Sequence, residues 1–468
     1  MSILRNQSLW ALLIGGALLT ATACKKDDDD DTTNNNNNDT PAAFTVTDLG
    51  GGVKQIEGST ESDYTFTSGT KWLLKGFVYV ESGATLTIEP GTIIKGDKDT
   101  KGTLIIKRGG KIMAQGTSSQ PIVFTSNQPA GSRDYGDWGG IILCGKANNN
   151  QPGGEAIIEG GPDASYGGGT SPNDADNSGV MQYVRIEFPG IPFQPNQEIN
   201  GLTLGAVGSG TTIDHIQVSY SGDDSYEFFG GAVNAKYIVA LRGWDDDFDT
   251  DNGFRGKVQF AVAMRDHNIA DQSGSNSFES DNDASGSTTS PYTKPIFSNV
   301  SILGPMAEST DAPNTLFKRG AHIRRNSRCN IHNSVIAGFP TGIYLDGSLT
   351  GADAVSDELQ VRNTIVAGCT TPLDTAAGTG IPDITAWFNT SGWNNSVMSD
   401  LNSLGLTIPV SLTNPVVLPM GGSPLLSGAD FSGNVSDGFF DHVTFRGAFG
   451  TDNWTSGWCN WDPQNTTY

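Results

Sequence analysis

The sequence predicts an all-β chain wound as a parallel β-helix, and three observations predict it. From Trp72 onward, short β-branched runs alternate with Gly, Asn and Asp turns: FVYVESGATLTIEPGTIIKG, GTLIIKRGGKIMAQG and PIVFTSN follow one another with no helical periodicity between them. Later runs recur at a coil-length interval: YVRIEFPG, HIQVSYSG, YIVALRG and FAVAMRD, then NVSILGP, NSVIAGF and NTIVAGC. Val218, Val239 and Val262 fall at matching places, 21 and 23 residues apart, and a repeat near 22 residues built of strands and turns marks a solenoid. Composition agrees, with 60 glycines in 468 residues and only 17% charged residues. A β-sandwich would join neighbouring strands by short hairpins and would need no such repeat.

The elements follow in chain order. Arg5 precedes an apolar run from Leu9 to Leu19. That run is shorter than the roughly 20 residues a membrane helix needs and fits a signal-peptide core. Small residues lead to a lone Cys24, so residues 1–23 are expected to be a lipoprotein signal, with lipid on the Cys24 thiol. Residues 24–43, with KKDDDDD and then TTNNNNND, are too polar to fold and form a tether. Residues 44–395 are expected to be the β-helix. Insertions near 145–180, 190–200, 266–295 and 304–320 become loops, where function would sit. Residues 396–468 are expected to complete the last coils. Their cluster Trp454, Trp458 and Trp461 would cap the open end or present rings to a sugar.

The net charge of −23 excludes nucleic acid and anionic lipid as partners and leaves cations, glycans and proteins. Beyond Cys24, the wide spacing of Cys144, Cys329, Cys369 and Cys459 fits no metal motif and favours buried thiols.

The chemistry concentrates in three acidic strings: SGDDSYE (Asp223, Asp224, Glu227), RGWDDDFDTDNG (Asp245, Asp246, Asp247, Asp249, Asp251) and NSFESDND (Glu279, Asp281, Asp283). Counted from the matching valines, Asp224 and Asp245 would sit in successive coils about 5 Å apart, where like charges repel. Two things would offset that. Calcium, which takes six to eight oxygens, would be held by Asp223, Asp224, Asp245, Asp247, Asp249 and Asp251. Alternatively, Arg242, Arg265 and Arg255 would pair with the acids. A solvated acidic loop is the remaining reading. A catalytic use would draw on Asp224 and Asp245 with Arg242 or Arg265, as a calcium-assisted lyase or as a hydrolase with two carboxyls. His215 and His267 read as strand-end hydrogen bonders. His322 and Arg324, with Lys318, Arg319 and Arg328, form a basic patch that meets an acidic ligand or pairs with the Asp column. Phe228, Phe254 and Phe278 suggest an internal stack.

The strings NGLTLGAVGSGTTIDHIQVSYSGDD, WDDDFDTDNGFRGKVQFAVAMRD, QSGSNSFESDND and KRGAHIRRNS, with the ending FRGAFG…NWTSGWCNWDPQN, resemble a family of Bacteroidota surface lipoproteins. The start Cys-Lys-Lys-Asp-Asp is similar to the signal that sends such lipoproteins to the outer face of the outer membrane. The resemblance implies a right-handed, pectin-lyase-like β-helix held to the outer membrane by lipid and exposed at the cell surface. It implies no activity. The expectation is therefore a non-catalytic module that binds extracellular glycan or a partner protein, with calcium as cofactor. The competing expectation is a calcium-dependent polysaccharide lyase or glycoside hydrolase.

Overall fold

The computed structural model of the chain describes residues 42–468 apart from 195 and 196. The expected signal peptide, Cys24 and nearly all of the tether lie outside the described residues.

Each coil lays down three strands, and each strand pairs in parallel with its counterpart one coil further on. The chain is thus a parallel β-helix with three sheets. The first two share long strands bent at one residue: Gly179–Glu187, Thr212–Ser219, Asn234–Leu241, Lys257–Met264 and Ile296–Leu303. The third stacks Gly140–Cys144, Leu202–Gly205, Tyr226–Phe229, Phe248–Asp251, Phe278–Ser280, Arg319–Ile323 and Thr341–Leu345. Its inward row runs Leu202, Tyr226, Phe248, Phe278, Ala321, Ile343, all buried and in register. The aromatic column inside is therefore Tyr226–Phe248–Phe278. Of the expected trio, only Phe228 and Phe254 stack on one another, at 4.5 Å.

The register differs by one residue from the valine count. Val218 pairs with Ala240, while Gln217, Val239 and Val262 share a row. Val218 points into the core and Val239 points out, into a second apolar cluster. The second sheet is apolar on both faces because chain covers its outside, so hydrophobicity could not fix which valine faces which way. Asp224 accordingly stacks on Asp246, and Asp223 belongs with Asp245.

Where the first sheet bends into the second, one residue per coil turns left-handed: Tyr183, His215, Tyr237 and Phe260, then Asn299, Asn333, Asn363 and Asn394, with φ between 50° and 60°. Asn tolerates this region and aromatic residues rarely adopt it. Here His215 stacks between Tyr183 at 4.3 Å and Tyr237 at 4.5 Å, and Tyr237 stacks on Phe260 at 5.0 Å.

The C-terminal segment covers this bend. Only Ser396–Met398 joins the sheet beyond residue 395. The rest runs back along the flank, coil by coil. Asp430 bonds Asn333, Asp441 bonds Gln259, Asn460 bonds Gln217, and the Tyr468 hydroxyl donates to Glu187 at 2.6 Å. Trp454 and Trp458 pack edge-on against the His215 and Tyr237 rings, and Trp458 is buried. The tryptophan cluster is thus a flank strap. It lies along the flank rather than capping an end: the Trp454 and Trp458 rings pack on the left-handed ladder, and Trp461 is partly buried beside them. Trp387, Phe388 and Trp393 close the core below the last coil instead, and the antiparallel pair Thr45–Gly50 and Val53–Thr60 begins the first. Cys144, Cys329, Cys369 and Cys459 are free thiols.

Candidate functional site

The outward face of the third sheet carries the acids. Along each strand the side chains alternate, so a buried aromatic at one place puts a carboxylate outside at the next. The row after the inward aromatics runs Thr203, Glu227, Asp249, Glu279, His322. One further along, Phe229 is followed by Asp251, and Asp281 lies beyond it, donating its N–H to Thr250. Before the strands, Asp246 donates its N–H to Asp224 Oδ1 at 2.7 Å, which locks those two carboxylates one above the other.

The insertions wall this face. Residues 145–180 and 190–200 pack a small apolar cluster over the earlier coils and bring Glu159 and Glu198 to the rim. Arg324 and Arg325 stand at the far edge. The resulting cleft holds about 250 Å³. It adjoins a larger one of about 790 Å³ between Lys98, Trp244 and the loop Asp271–Gln272–Ser273, with Glu198 and Asp223 common to both.

Burial first, and then mutual repulsion, pushes the acids upward. The Asp223, Asp224, Glu227, Asp245 and Asp249 carboxyls are held well above the usual range. Asp246 and Asp251 are pushed up to about 8, and Glu159 to about 7. Three overlapping groups bring carboxylate oxygens within 4.8 Å of one another: Asp223 with Asp224 and Asp245, Asp224 with Glu227 and Asp249, and Asp246 with Asp249 and Glu279. Glu227 is 4% exposed, yet its Oε1 has no hydrogen-bond partner. A buried carboxylate oxygen left so is costly unless a proton shared with Asp224 or a cation meets it. An all-oxygen donor set with several charges and shared ligands fits a hard divalent cation such as calcium.

Not every residue singled out in the sequence belongs here. Asp247 faces inward, where Arg265 Nη1 donates to its Oδ1 at 2.9 Å and Ser277 donates to its Oδ2, with both charged side chains fully buried. It is a counter-ion and not a cleft ligand: it lies in the turn before the strand Phe248–Asp251, where its carboxylate is taken up by Arg265 and Ser277. Arg265 is therefore enclosed, and Arg242 bonds the Tyr220 hydroxyl and lies 3.6 Å from Asp266. Neither arginine lines the cleft. Arg255 pairs with Asp174. Asp223, Asp224, Asp249 and Asp251 line the acidic cleft, and Asp245 lines its neighbour, bonded by Ser273. Arg324 pairs with Glu279 and Asp281, so it bounds the acids rather than standing open. His322 is buried between Glu279 and Asp346, and His267 bonds Glu308.

Sequence reasoning missed Glu159 and Glu198 as cleft residues, since both come from insertions with no repeat to place them. It also left Glu227, Asp246 and Glu279 out of the ligand set. The correct register would have supplied those three.

Residues 58–402 match a family model described as a pectate-lyase like beta helix domain. No curated protein and no solved structure matches the chain.

Proposed function

The chain belongs to the pectate-lyase like beta helix family, and from that premise we propose that it is a non-catalytic module that binds an acidic extracellular glycan through cations held in the carboxylate cleft. One observation carries the reading: a continuous ladder of carboxylates over successive coils, with the buried Glu227 oxygen unpartnered at its centre. Calcium there would neutralise the acids and accept further oxygens from a uronate carboxylate. The chain's own residues do the rest. Asp224, Glu227, Asp246, Asp249 and Glu279 hold the cations. Arg324 and Arg325 add positive charge at one end, Arg325 being the more exposed.

The arginines support binding over elimination. A lyase needs a base that reaches the substrate α-carbon. Arg265 is enclosed, Arg242 is turned to Tyr220, and Arg324 is held by two carboxylates. We further propose that Cys24 carries the lipid and that residues 24–43 tether the β-helix outside the outer membrane. A Cys24→Ser chain recovered in the soluble fraction would support this anchor, and one still membrane-bound would remove it.

The binding test uses the full chain in mild detergent, with and without calcium. Melting should rise with excess calcium over chelator, and polygalacturonate should be retained only with calcium. An unchanged melting temperature removes the cations from the proposal. Unsaturated or reducing products that disappear in Asp224→Ala would replace binding by catalysis.

A further inference from the structure

We propose that Trp244, with the backbone floor beside it, forms a subsite that takes the flat face of one pyranose ring next to the cation row. The inference rests on the glycan-binding reading above and gives it a second, charge-independent contact.

Trp244 is the one tryptophan among the described residues with a substantially open surface, 39% exposed, and it lines the larger cleft. An exposed indole is ordinarily unremarkable; this one stands on a braced backbone. The Trp244 backbone N–H donates to Ser221 O at 2.9 Å, and its carbonyl accepts from Ser275 Oγ at 2.8 Å and from Arg265 Nη2 at 3.3 Å. The buried Arg265–Asp247 pair thus fixes the loop from beneath, and these two act as positioning residues. Behind the indole an aromatic run climbs the coils, Phe188 to Tyr220 at 5.0 Å, Tyr220 to Tyr135 at 5.3 Å, and Tyr135 edge-on to Trp244 at 5.5 Å. A rigid, supported ring loses little entropy on binding.

The floor of the same cleft is bare backbone. A Cβ on Gly190 would meet Gly222 N at 2.5 Å, and one on Gly222 would meet Gly190 O at 2.5 Å. Gly136, Gly190 and Gly222 line the cleft without a side chain, which leaves backbone as part of its wall beside Trp244 and Asp223. Ser273, Gln272 and Lys98 at the rim offer polar groups to its hydroxyls. Asp223 and Asp245 belong both to this cleft and to the first cation group, so a ring on Trp244 is continuous with the ladder. The arrangement is that of a glycan site, a stacking surface with a few convergent polar groups.

The test titrates the full chain in mild detergent and excess calcium with polygalacturonate and with its methyl ester, which keeps the ring and loses the charge. Trp244→Ala should weaken both by about tenfold, and Trp244→Phe should restore most of that. Calcium affinity should stay at its wild-type value in both variants. Asp249→Asn should weaken only the charged polymer. Wild-type affinity in Trp244→Ala overturns the subsite and leaves the cation reading intact. A wild-type chain that binds calcium but neither polymer overturns both, and the wild-type polymer titration tells the two failures apart.

Discussion

The bend between the first and second sheets and the outer face of the third are both ladders made by the same coil repeat, yet they end in opposite states. At the bend, Tyr183, His215, Tyr237 and Phe260 stack on one another, Asn299 and Asn333 bond the strap, and the strap closes over them. On the third sheet, Glu227, Asp249 and Glu279 stand in the same kind of row with the same charge. A repeat of about 4.8 Å brings like beside like. Rings and amides satisfy their own kind, whereas ionised carboxylates repel. One ladder is complete as it stands, and in the other burial and repulsion push the Glu227 and Asp249 carboxyls well up.

The sharpest break of that contrast is Arg265→Leu. Asp247 is a fully buried acid that the chain neutralises internally with an equally buried arginine, and removing that partner leaves a buried carboxylate without a cation. We expect a loss of about 3–5 kcal/mol, read by urea unfolding in excess calcium. A loss below about 1 kcal/mol, the level of an exposed pair, would show that Asp247 is solvated.

Trp458→Ala attacks the complete ladder. The buried indole packs on the His215 and Tyr183 rings, and its Nε1 donates to Trp454 O at 2.8 Å. Truncation should cost about 3 kcal/mol. Because nothing in that ladder needs a cation, the loss should be the same in calcium and in chelator. A loss that differed between them would tie the strap to the cleft.

How much of this was legible in the sequence follows from the same contrast. The solenoid was readable because strand-length apolar runs recur, and the acid-rich coils because SGDD and WDDDFDTD stand out in a chain poor in charge. The facing of each acid was not readable. Val218 and Val239 are both buried, one inside and one beneath the strap, so alternation carried no sign, and Asp247 was grouped with the acids it actually faces away from. The strap was invisible for a related reason: residues 430–468 donate backbone N–H groups to Asn and Gln side chains of the coils, and nothing in their own sequence has a period. Glu159 and Glu198 arrive on insertions, where sequence distance says nothing about contact.

Changing pH separates the two ladders, and the smallest expected effect is the single substitution made within that test. Asp246 and Asp251 titrate near 8 in the folded chain, mainly through burial and then through neighbouring acids, against about 4 when unfolded. Between those values the folded state holds more protons than the unfolded state, so stability without calcium should fall as pH rises from about 4 to about 8. If calcium is held there as proposed, it takes the place of those protons and stabilises more as they leave, so the slope should flatten when it is added. Asp249→Asn distinguishes charge from shape. It removes the carboxylate common to two of the cation groups and keeps its size. In chelator at pH 8 the variant should be more stable than the wild type by about 1 kcal/mol, since a like-charge contact is gone. In calcium the order should reverse, since a ligand is gone too. Melting curves at pH 5 and pH 8, each with calcium and with chelator, read both signs. The same order of stability in calcium and chelator would mean that no cation answers the ladder.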